Sequence, residues 1–231
     1  MSFIQKLKKY FKNISKKLLK NALLIEQDKV STIELNKLFK KSLIGDVNIC
    51  IENEKWPKAD DGTLLLPVIQ IKMFDLPFVP KYLVNIKYIV IFIYPEDMEK
   101  VHGDKSGLCI RVYNDENLKL LRKPKIIKSN PKLIKFNNII DFPSYDDLPQ
   151  KILEYKELLY SNIEEAPFSC IVSDKLFGWP FWCQNSESSE YDKLIIQLTD
   201  YEHEWVYGDC PTIYIFYNIK TKIFWGTIQT Y

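Results

Sequence analysis

The opening of the chain places apolar residues and lysines with the period of an α-helix. In "FIQKLKKYFKNISKKLLKNALL" the apolar positions fall on one stripe, and lysines lie between them. The stripe consists of Phe3, Ile4, Leu7, Tyr10, Phe11, Ile14, Leu18 and Leu19. We therefore expect an amphipathic helix over residues 1–24. The favoured interpretation is a terminal helix that packs on the rest of the protein, and the alternative is a helix that contacts a membrane surface or a partner.

From about residue 30 onward the pattern changes to short apolar runs broken by Pro, Asn, Asp and Gly, which is typical of strands joined by turns. The predicted strands cover residues 31–36, 47–52, 64–72, 86–94, 107–113, 193–199, 211–218 and 222–229. A second helix is predicted in "DDLPQKILEYKELLYS", starting near Pro149. Residues 114–147 are rich in Lys, Asn and Pro and predict irregular or edge structure. Because no segment resembles a disordered linker, we expect one domain.

Two parts of the chain repeat one order of features. The first, about residues 40–95, runs from "SLIGDV" through "EKWPKADDGTLLLPVIQIK" to "YIVIFIY". The second, about residues 174–220, runs from "KLFGWPFW" through "KLIIQLT" to "TIYIFYN". Each contains a Gly, a Trp near a Pro, an apolar strand with a Gln and an apolar strand with a Phe. This order predicts an internal two-fold strand repeat with insertions in the loops.

These motifs resemble the YwqG-like family, a bacterial domain of unknown function. The matching residues are Gly45, Trp56, Pro57, Gly62, Gln70, Gly178, Pro180, Trp182, Gln184, Gln197, Gly208 and Asp209. Where the family has a second glycine, this chain has Asp46 and Trp179. The resemblance implies a mainly β, roll-like α+β domain over residues 25–231, preceded by the N-terminal helix. It implies no established activity, but some members are encoded beside bacterial toxin systems, which implies an immunity role.

The glutamines and the aromatic residues of the repeat can each be interpreted either as structural or as functional. A glutamine inside "VIQI" or "IIQL" is costly to bury without hydrogen bonds, so Gln70 and Gln197 are predicted to pin irregular loop backbone to the core rather than to bind a ligand. In "KLFGWPFWCQ" the four aromatic residues cannot all be buried on one face. They either cap the core or form a contact surface.

Charge is balanced over the whole chain but uneven along it. The net charge is +2, residues 1–20 hold seven lysines and no acid, and residues 185–210 hold seven acids and one lysine. The only arginines are Arg111 and Arg122, which weighs against a nucleic-acid partner. In "DYEHEWVYGD" an extended backbone would place Asp200, Glu202 and Glu204 on one face. This cluster predicts a solvated loop, a site for a basic protein partner, or a divalent-cation site.

The sequence offers few groups for catalysis. The histidines are His102 and His203, and neither a GxSxG elbow nor a glycine-rich nucleotide motif is present. We therefore expect no catalytic residue, cofactor or metal. Five dispersed cysteines and the lack of a secretory leader or a long apolar run favour the cytoplasm and no transmembrane segment.

These observations favour a non-catalytic cytoplasmic binding protein, an immunity-type protein that neutralises a toxin with a basic surface. The predicted partner-binding residues are Trp179, Trp182, Asp200, Glu202, Glu204, Trp205 and Asp209. The alternative is a small-ligand-binding or hydrolytic domain, in which Trp179, Trp182 and Gln184 form a stacking pocket. In that case Asp200, His203 and Asp209 would supply acid–base groups.

Overall fold

The structure is a computed structural model that describes residues 18–29, 38–95, 97, 99–102, 107–143, 147, 171–199 and 211–230. The described part of the chain is mostly β, with 45% of its residues in strands and 7% helical. The strands are β1 (Lys20–Lys29), β2 (Leu43–Ile44), β3 (Ile49–Cys50), β4 (Leu66–Lys72), β5 (Tyr88–Ile93), β6 (Leu108–Tyr113), β7 (Lys119–Leu120), β8 (Lys132–Asp141), β9 (Lys175–Phe177), β10 (Asp192–Thr199), β11 (Thr212–Asn218) and β12 (Ile223–Gln229). Short helices cover Met73–Asp75, Lys81–Leu83 and Glu99–His102.

One large sheet organises the described residues. Its strand order is β12-β11-β10-β9-β1-β8-β2-β4-β5-β6, and β3 pairs with β7 separately. The central pair is antiparallel, with Lys20 opposite Asp141 and Lys29 opposite Lys132. On each side of this centre lies an arm of four strands that come from one half of the chain. The sheet is nearly closed and barrel-like, because its edge strands approach each other where Gly226 of β12 faces Leu108 of β6.

Alternating side chains divide the core between the two faces of the sheet. On β5, Ile89, Ile91 and Ile93 join the largest cluster, which also takes residues from the other arm. The intervening Val90 and Phe92 join a second cluster, which the first arm forms with β3 and the segment between β6 and β8. A third cluster, around Trp182, Leu194, Tyr214 and Phe216, belongs to the second arm. The shared cluster therefore fills the enclosed face, and each arm has its own core on the outer face.

The predicted roll-like α+β fold is wrong. No helix of seven or more residues occurs in the described part of the chain. Within the helix predicted over residues 1–24, Lys20–Leu24 form the start of β1, while residues 1–17 lie outside the described residues. The reason is long-range pairing: β1 lies between β8 and β9 and buries Ala22, Leu23 and Ile25, which outweighs local helical propensity.

The strand predictions were more successful in the two arms than in the centre. Six of them, at 64–72, 86–94, 107–113, 193–199, 211–218 and 222–229, are confirmed within two residues at each end. The predicted strand 47–52 shrinks to Ile49–Cys50, while the predicted strand 31–36 and the helix starting near Pro149 lie outside the described residues. Within the range 114–147, predicted as irregular or edge structure, residues 114–131 are irregular apart from the short β7. The prediction is wrong for β8, which lies in the middle of the sheet.

Among the helices that the structure describes, none combines the length and the apolar character needed to cross a bilayer.

Candidate functional site

Gln70 of β4 is fully buried and holds the chain on both sides of β2. Its Oε1 accepts a hydrogen bond from the Asn48 backbone N–H at 2.9 Å. Its Nε2 donates to the Lys41 carbonyl at 2.7 Å and to Asn48 Oδ1 at 3.1 Å. The partners lie in the irregular segments just before and just after β2, so the predicted structural role of Gln70 is confirmed.

Gln197 of β10 performs the same task in the second arm. It is also fully buried, and its Oε1 accepts from the Phe181 backbone N–H at 2.8 Å. Its Nε2 lies 3.0–3.2 Å from the carbonyl oxygens of residues 171–173. The predicted pin is again confirmed, and it ties two separate loops to one strand.

A third buried glutamine that hydrogen-bonds a loop, Gln229 of β12, was missed by sequence reasoning. We call these three side chains pins. This side chain is 1% exposed, and its Oε1 accepts from the Gln184 backbone N–H at 3.0 Å. Its Nε2 donates to the Asn185 carbonyl at 2.8 Å and to Glu187 Oε1 at 2.7 Å. The signal was present, since Gln229 follows an isoleucine in "GTIQ" just as Gln70 does in "VIQI".

The first two pins occupy corresponding positions in the two arms. Each glutamine lies two residues after a residue at which the strand pairing shifts register, Val68 in β4 and Ile195 in β10. Each receives a backbone N–H from the residue three positions after a glycine with positive φ, which is Gly45 at 78° and Gly178 at 80°. The glycines allow the left-handed turn that aims each loop at its glutamine.

A buried ion pair fixes the start of the second loop. Lys175 Nζ lies 2.8 Å from Asp141 Oδ2, and neither side chain is exposed to solvent. The Asp141 carboxylate also accepts backbone N–H groups of Phe142, Ile171 and Trp179 at 2.8–3.1 Å. The pair thereby joins β8, β9, the segment before β9 and the turn after it. Its full burial leaves it unavailable to a ligand, so we assign it a structural role.

The aromatic loop, residues 177–184, buries two of its four rings and half-buries the other two, which favours the core-capping interpretation over an exposed contact surface. Phe177 and Trp182 are 3% and 5% exposed and belong to different core clusters, while Trp179 and Phe181 are half-buried. The Trp182 ring packs against Tyr214 at 4.9 Å and Phe216 at 5.5 Å between centroids. Trp182 therefore has little surface to offer a partner or a stacked ligand.

Trp179 has a different environment, between the aromatic loop and the start of β1. Its indole N–H donates to the Leu18 carbonyl at 2.7 Å, and the Lys20 ammonium lies 3.2 Å from its ring centroid. Burial lowers the pKa of Lys20 to about 8, with further lowering by Lys193 and opposite effects from the two nearby aspartates, Asp147 and Asp141. Trp179 thus anchors the N-terminal end of β1.

An open groove lies beside the other end of β1. We call it the acidic groove: it has a volume of about 550 Å³, is lined by residues 24–28, 172–174 and 199, and carries Glu26, Asp28 and Asp174. No lysine or arginine is among these lining residues, although Lys135 of β8 forms an ion pair with Asp28 at 2.5 Å. A second lysine, Lys132 of β8, donates from Nζ to Gln27 Oε1 at 2.9 Å, so the negative lining is flanked by two lysines among the described residues.

Asp174 fixes the shape of the groove. Its Oδ1 accepts from the Thr199 backbone N–H at 2.7 Å and the Thr199 hydroxyl at 3.0 Å, and its Oδ2 accepts from Gln27 Nε2 at 2.9 Å. These bonds tie the groove wall to the last residue of β10. Sequence reasoning missed Asp174, because nothing in "SDK" distinguishes it from a surface turn residue.

Five of the seven predicted partner-binding residues lie in the segment 200–209, which comes directly after the groove residue Thr199 in the sequence. Thr199, which lines the groove, pairs with Thr212 across β10 and β11, so the described residues on either side of the acidic segment are neighbours. Asp200, Glu202, Glu204, Trp205 and Asp209, together with His203, lie outside the described residues. The structure thus fixes both flanks of the acidic segment and brings its first flank to Asp174.

Among the described residues, no group of three or more His, Cys, Asp or Glu side chains is arranged to hold a metal ion. Comparisons with family models and with curated proteins find no match. The resemblance to the YwqG-like family therefore rests on the motif residues alone and stays a prediction.

Proposed function

We propose that this chain is a non-catalytic cytoplasmic binding protein, an immunity-type protein that neutralises a toxin by direct binding through the acidic groove and residues 200–209. The observation that supports this proposal is that Thr199, the residue before the acidic segment, lines the groove. Three acids line the groove, and the Thr199–Thr212 pair at its edge flanks a segment with four more. Their combined charge favours a partner with a basic surface.

The motif residues support a scaffold role rather than a reactive one. The Gln70 and Gln197 amides and the Asp141 carboxylate are buried and directed at backbone N–H groups of the loops. Such bonds hold the loops in one conformation before a partner arrives, which reduces the entropy lost on binding. The burial of Trp182 also removes one wall of the alternative stacking pocket.

Recognition on this surface would begin with electrostatic steering. Acids at the groove would attract a basic partner over roughly a Debye length, which is about 8 Å at physiological ionic strength. Such steering raises the association rate more than it lowers the dissociation rate. Trp205, within the acidic segment, is the aromatic residue that we propose as an anchor after encounter.

The test uses the purified product of a toxin gene adjacent to the gene for this chain. We expect a complex whose association rate falls steeply with salt. Glu202→Lys/Glu204→Lys is expected to slow association about tenfold or more at low salt, and Glu26→Lys is expected to act in the same direction.

The matched control is Glu52→Lys/Asp60→Lys, which makes the same change in net charge at exposed positions of the first arm. It is expected to leave the association rate within about twofold. The absence of a salt-sensitive complex, or an equal loss in both double variants, would count against the proposal.

A further inference from the structure

Exposed apolar side chains gather at the end of the second arm that lies opposite the acidic groove. We call this region the hairpin end: it comprises Tyr82, Val84, Ile219 and Ile223 together with Lys81, Lys220 and Lys222. The four apolar side chains are 38%, 62%, 41% and 58% exposed. Tyr82 lies in the Lys81–Leu83 helix and Val84 directly follows it, while Ile219 lies in the turn between β11 and β12 and Ile223 is the first residue of β12.

Ring contacts join the two turns. Tyr82 stacks on Tyr217 with centroids 5.8 Å apart and planes 8° apart, and Tyr217 contacts Phe224 at 4.8 Å. Ile223 starts β12 opposite Asn218, next to Ile219. Because side chains alternate along a strand, Ile223 lies on the face of β12 opposite Phe224, so the exposed apolar side chains surround the tip of the hairpin from both faces. Exposed apolar side chains collected at one tip mark an interaction site.

Hydrogen bonds hold both turns in shape. Asn218 Oδ1 accepts the backbone N–H groups of Lys220 at 3.1 Å and Thr221 at 2.9 Å, and the Lys222 N–H donates to the Asn218 carbonyl at 2.8 Å. On the other turn, Leu83 is 1% exposed and its N–H donates to the Pro80 carbonyl at 2.9 Å. These hydrogen bonds and the burial of Leu83 thus fix the backbone that carries the exposed apolar side chains.

The charge of the hairpin end is positive. Lys81, Lys220 and Lys222 are exposed, whereas the nearby Asp192 accepts hydrogen bonds from Asn218 Nδ2 and Trp225 Nε1, both at 2.9 Å. Glu190 is the exposed acid of the adjacent turn. Aliphatic side chains flanked by lysines have the chemistry of a contact with anionic lipid, because the tips enter the headgroup region while the ammonium groups meet phosphates.

We propose that the hairpin end binds the surface of an anionic bilayer. Lipid headgroups are mobile, so each lysine can pair with a phosphate without a partner surface of fixed geometry. The contact goes beyond the proposed function and does not depend on it, since the hairpin end and the acidic groove lie at opposite ends of β10 and β11.

The test measures partition of the full chain onto vesicles of phosphatidylcholine with and without phosphatidylglycerol. We expect binding only to the vesicles that contain phosphatidylglycerol. Lys220→Glu/Lys222→Glu is expected to lower the partition coefficient about tenfold or more, and Ile219→Asn/Ile223→Asn is expected to lower it by a similar factor.

The matched control is Lys125→Glu/Lys128→Glu, which makes the same charge change beside the exposed Ile126, away from the hairpin end. It is expected to lower partition less than about threefold. The proposal fails if anionic vesicles do not bind the chain or if the control matches the hairpin variants. It also fails if deletion of residues 1–17 abolishes binding while the hairpin variants bind normally.

Discussion

Three buried glutamines and one buried carboxylate fix the loops of this protein by accepting backbone N–H groups. Gln70, Gln197 and Gln229 each also donate to loop carbonyl or side-chain oxygens, so both ends of each amide are used. Asp141 adds three backbone N–H bonds and the ion pair with Lys175. A buried polar group with full partners specifies one loop conformation, since any other would leave it unsatisfied.

Replacement of either paired glutamine by leucine is expected to destabilise the protein markedly. Gln70→Leu or Gln197→Leu conserves most of the side-chain volume but orphans buried loop N–H and carbonyl groups, which should cost about 3 kcal/mol. Urea denaturation followed by tryptophan fluorescence would measure the change in the free energy of unfolding.

Gln184→Leu serves as the control for both variants. Gln184 is exposed and its Nε2 donates to the Thr230 carbonyl, so its loss should change the free energy of unfolding by no more than about 0.5 kcal/mol. Equal effects at Gln184 and Gln197 would contradict the assignment of Gln197 as a pin.

Residue type in the sequence predicted the structural role of the buried glutamines but not that of the carboxylates Asp141 and Asp174. An amide within an apolar strand is an anomaly that sequence alone reveals, and both paired glutamines behave as that anomaly indicates. Asp141 and Asp174 carry no such signal, because a carboxylate at a strand end or in a turn is ordinary in sequence. Their partners come from distant segments, and only the folded sheet brings these together.

At the scale of elements, the local sequence pattern predicts the strands of the two arms but not the two central strands, β1 and β8. β5, β10 and β11 are apolar runs whose pairing partners are nearby in sequence. β8 has a mixed burial pattern and includes two asparagines, so its period-2 signal is weak. β1 continues from a segment with helical spacing, and its strand conformation is set by β8 and β9 on either side.

The turn after β9 should tolerate no side chain at Gly178. This residue has φ of +80°, and a Cβ there would lie 2.4 Å from Asp141 Oδ2 and 2.9 Å from Ala22 Cβ. Left-handed backbone costs an L-residue about 1–2 kcal/mol, and the overlap adds to this, so Gly178→Ala should cost about 3 kcal/mol or more. Thermal or urea unfolding would measure the loss.

Gly62→Ala separates the two causes of that loss. Gly62 has φ of +86°, but a Cβ at this position would have no neighbouring atom within 4 Å, so only the backbone cost of about 1 kcal/mol applies. If the two alanine variants were equally stable, crowding against the buried ion pair would have no part in the requirement for Gly178.

At the scale of the whole molecule, closure of the sheet depends on the contact between β12 and β6. A Cβ on Gly226 would lie 2.7 Å from Ile215 Cδ1, 2.8 Å from Leu108 Cδ2 and 2.9 Å from the Tyr214 carbonyl oxygen. The glycine therefore allows the last strand of one arm to approach the last strand of the other.

Gly226→Val is expected to separate these edge strands. Overpacking at this contact should cost about 1–3 kcal/mol and increase amide hydrogen exchange in β6 and β12 more than in β1 and β8. Exchange measured by mass spectrometry would show the difference. A uniform increase over all strands would instead indicate global destabilisation without local opening.

The sequence predicts only part of the candidate site, because the site, like the centre of the fold, depends on pairing between strands that are distant in sequence. The acidic segment is visible in sequence as a run of charges, whereas the groove that brings Glu26, Asp28 and Asp174 together with Thr199 depends on β1 lying in the centre of the sheet. These groove residues are far apart in sequence, and no local pattern predicts that they line one groove.

The central ladder also governs the order in which this protein can fold during synthesis. Each arm consists of strands paired with near neighbours, whereas β1 must wait for residues 132–141 and 175–177. A strand made early by the ribosome therefore keeps both edges unpaired until most of the chain has emerged. We expect slow final assembly after fast formation of the arms, with β1 as the segment that a chaperone would shield in the interval.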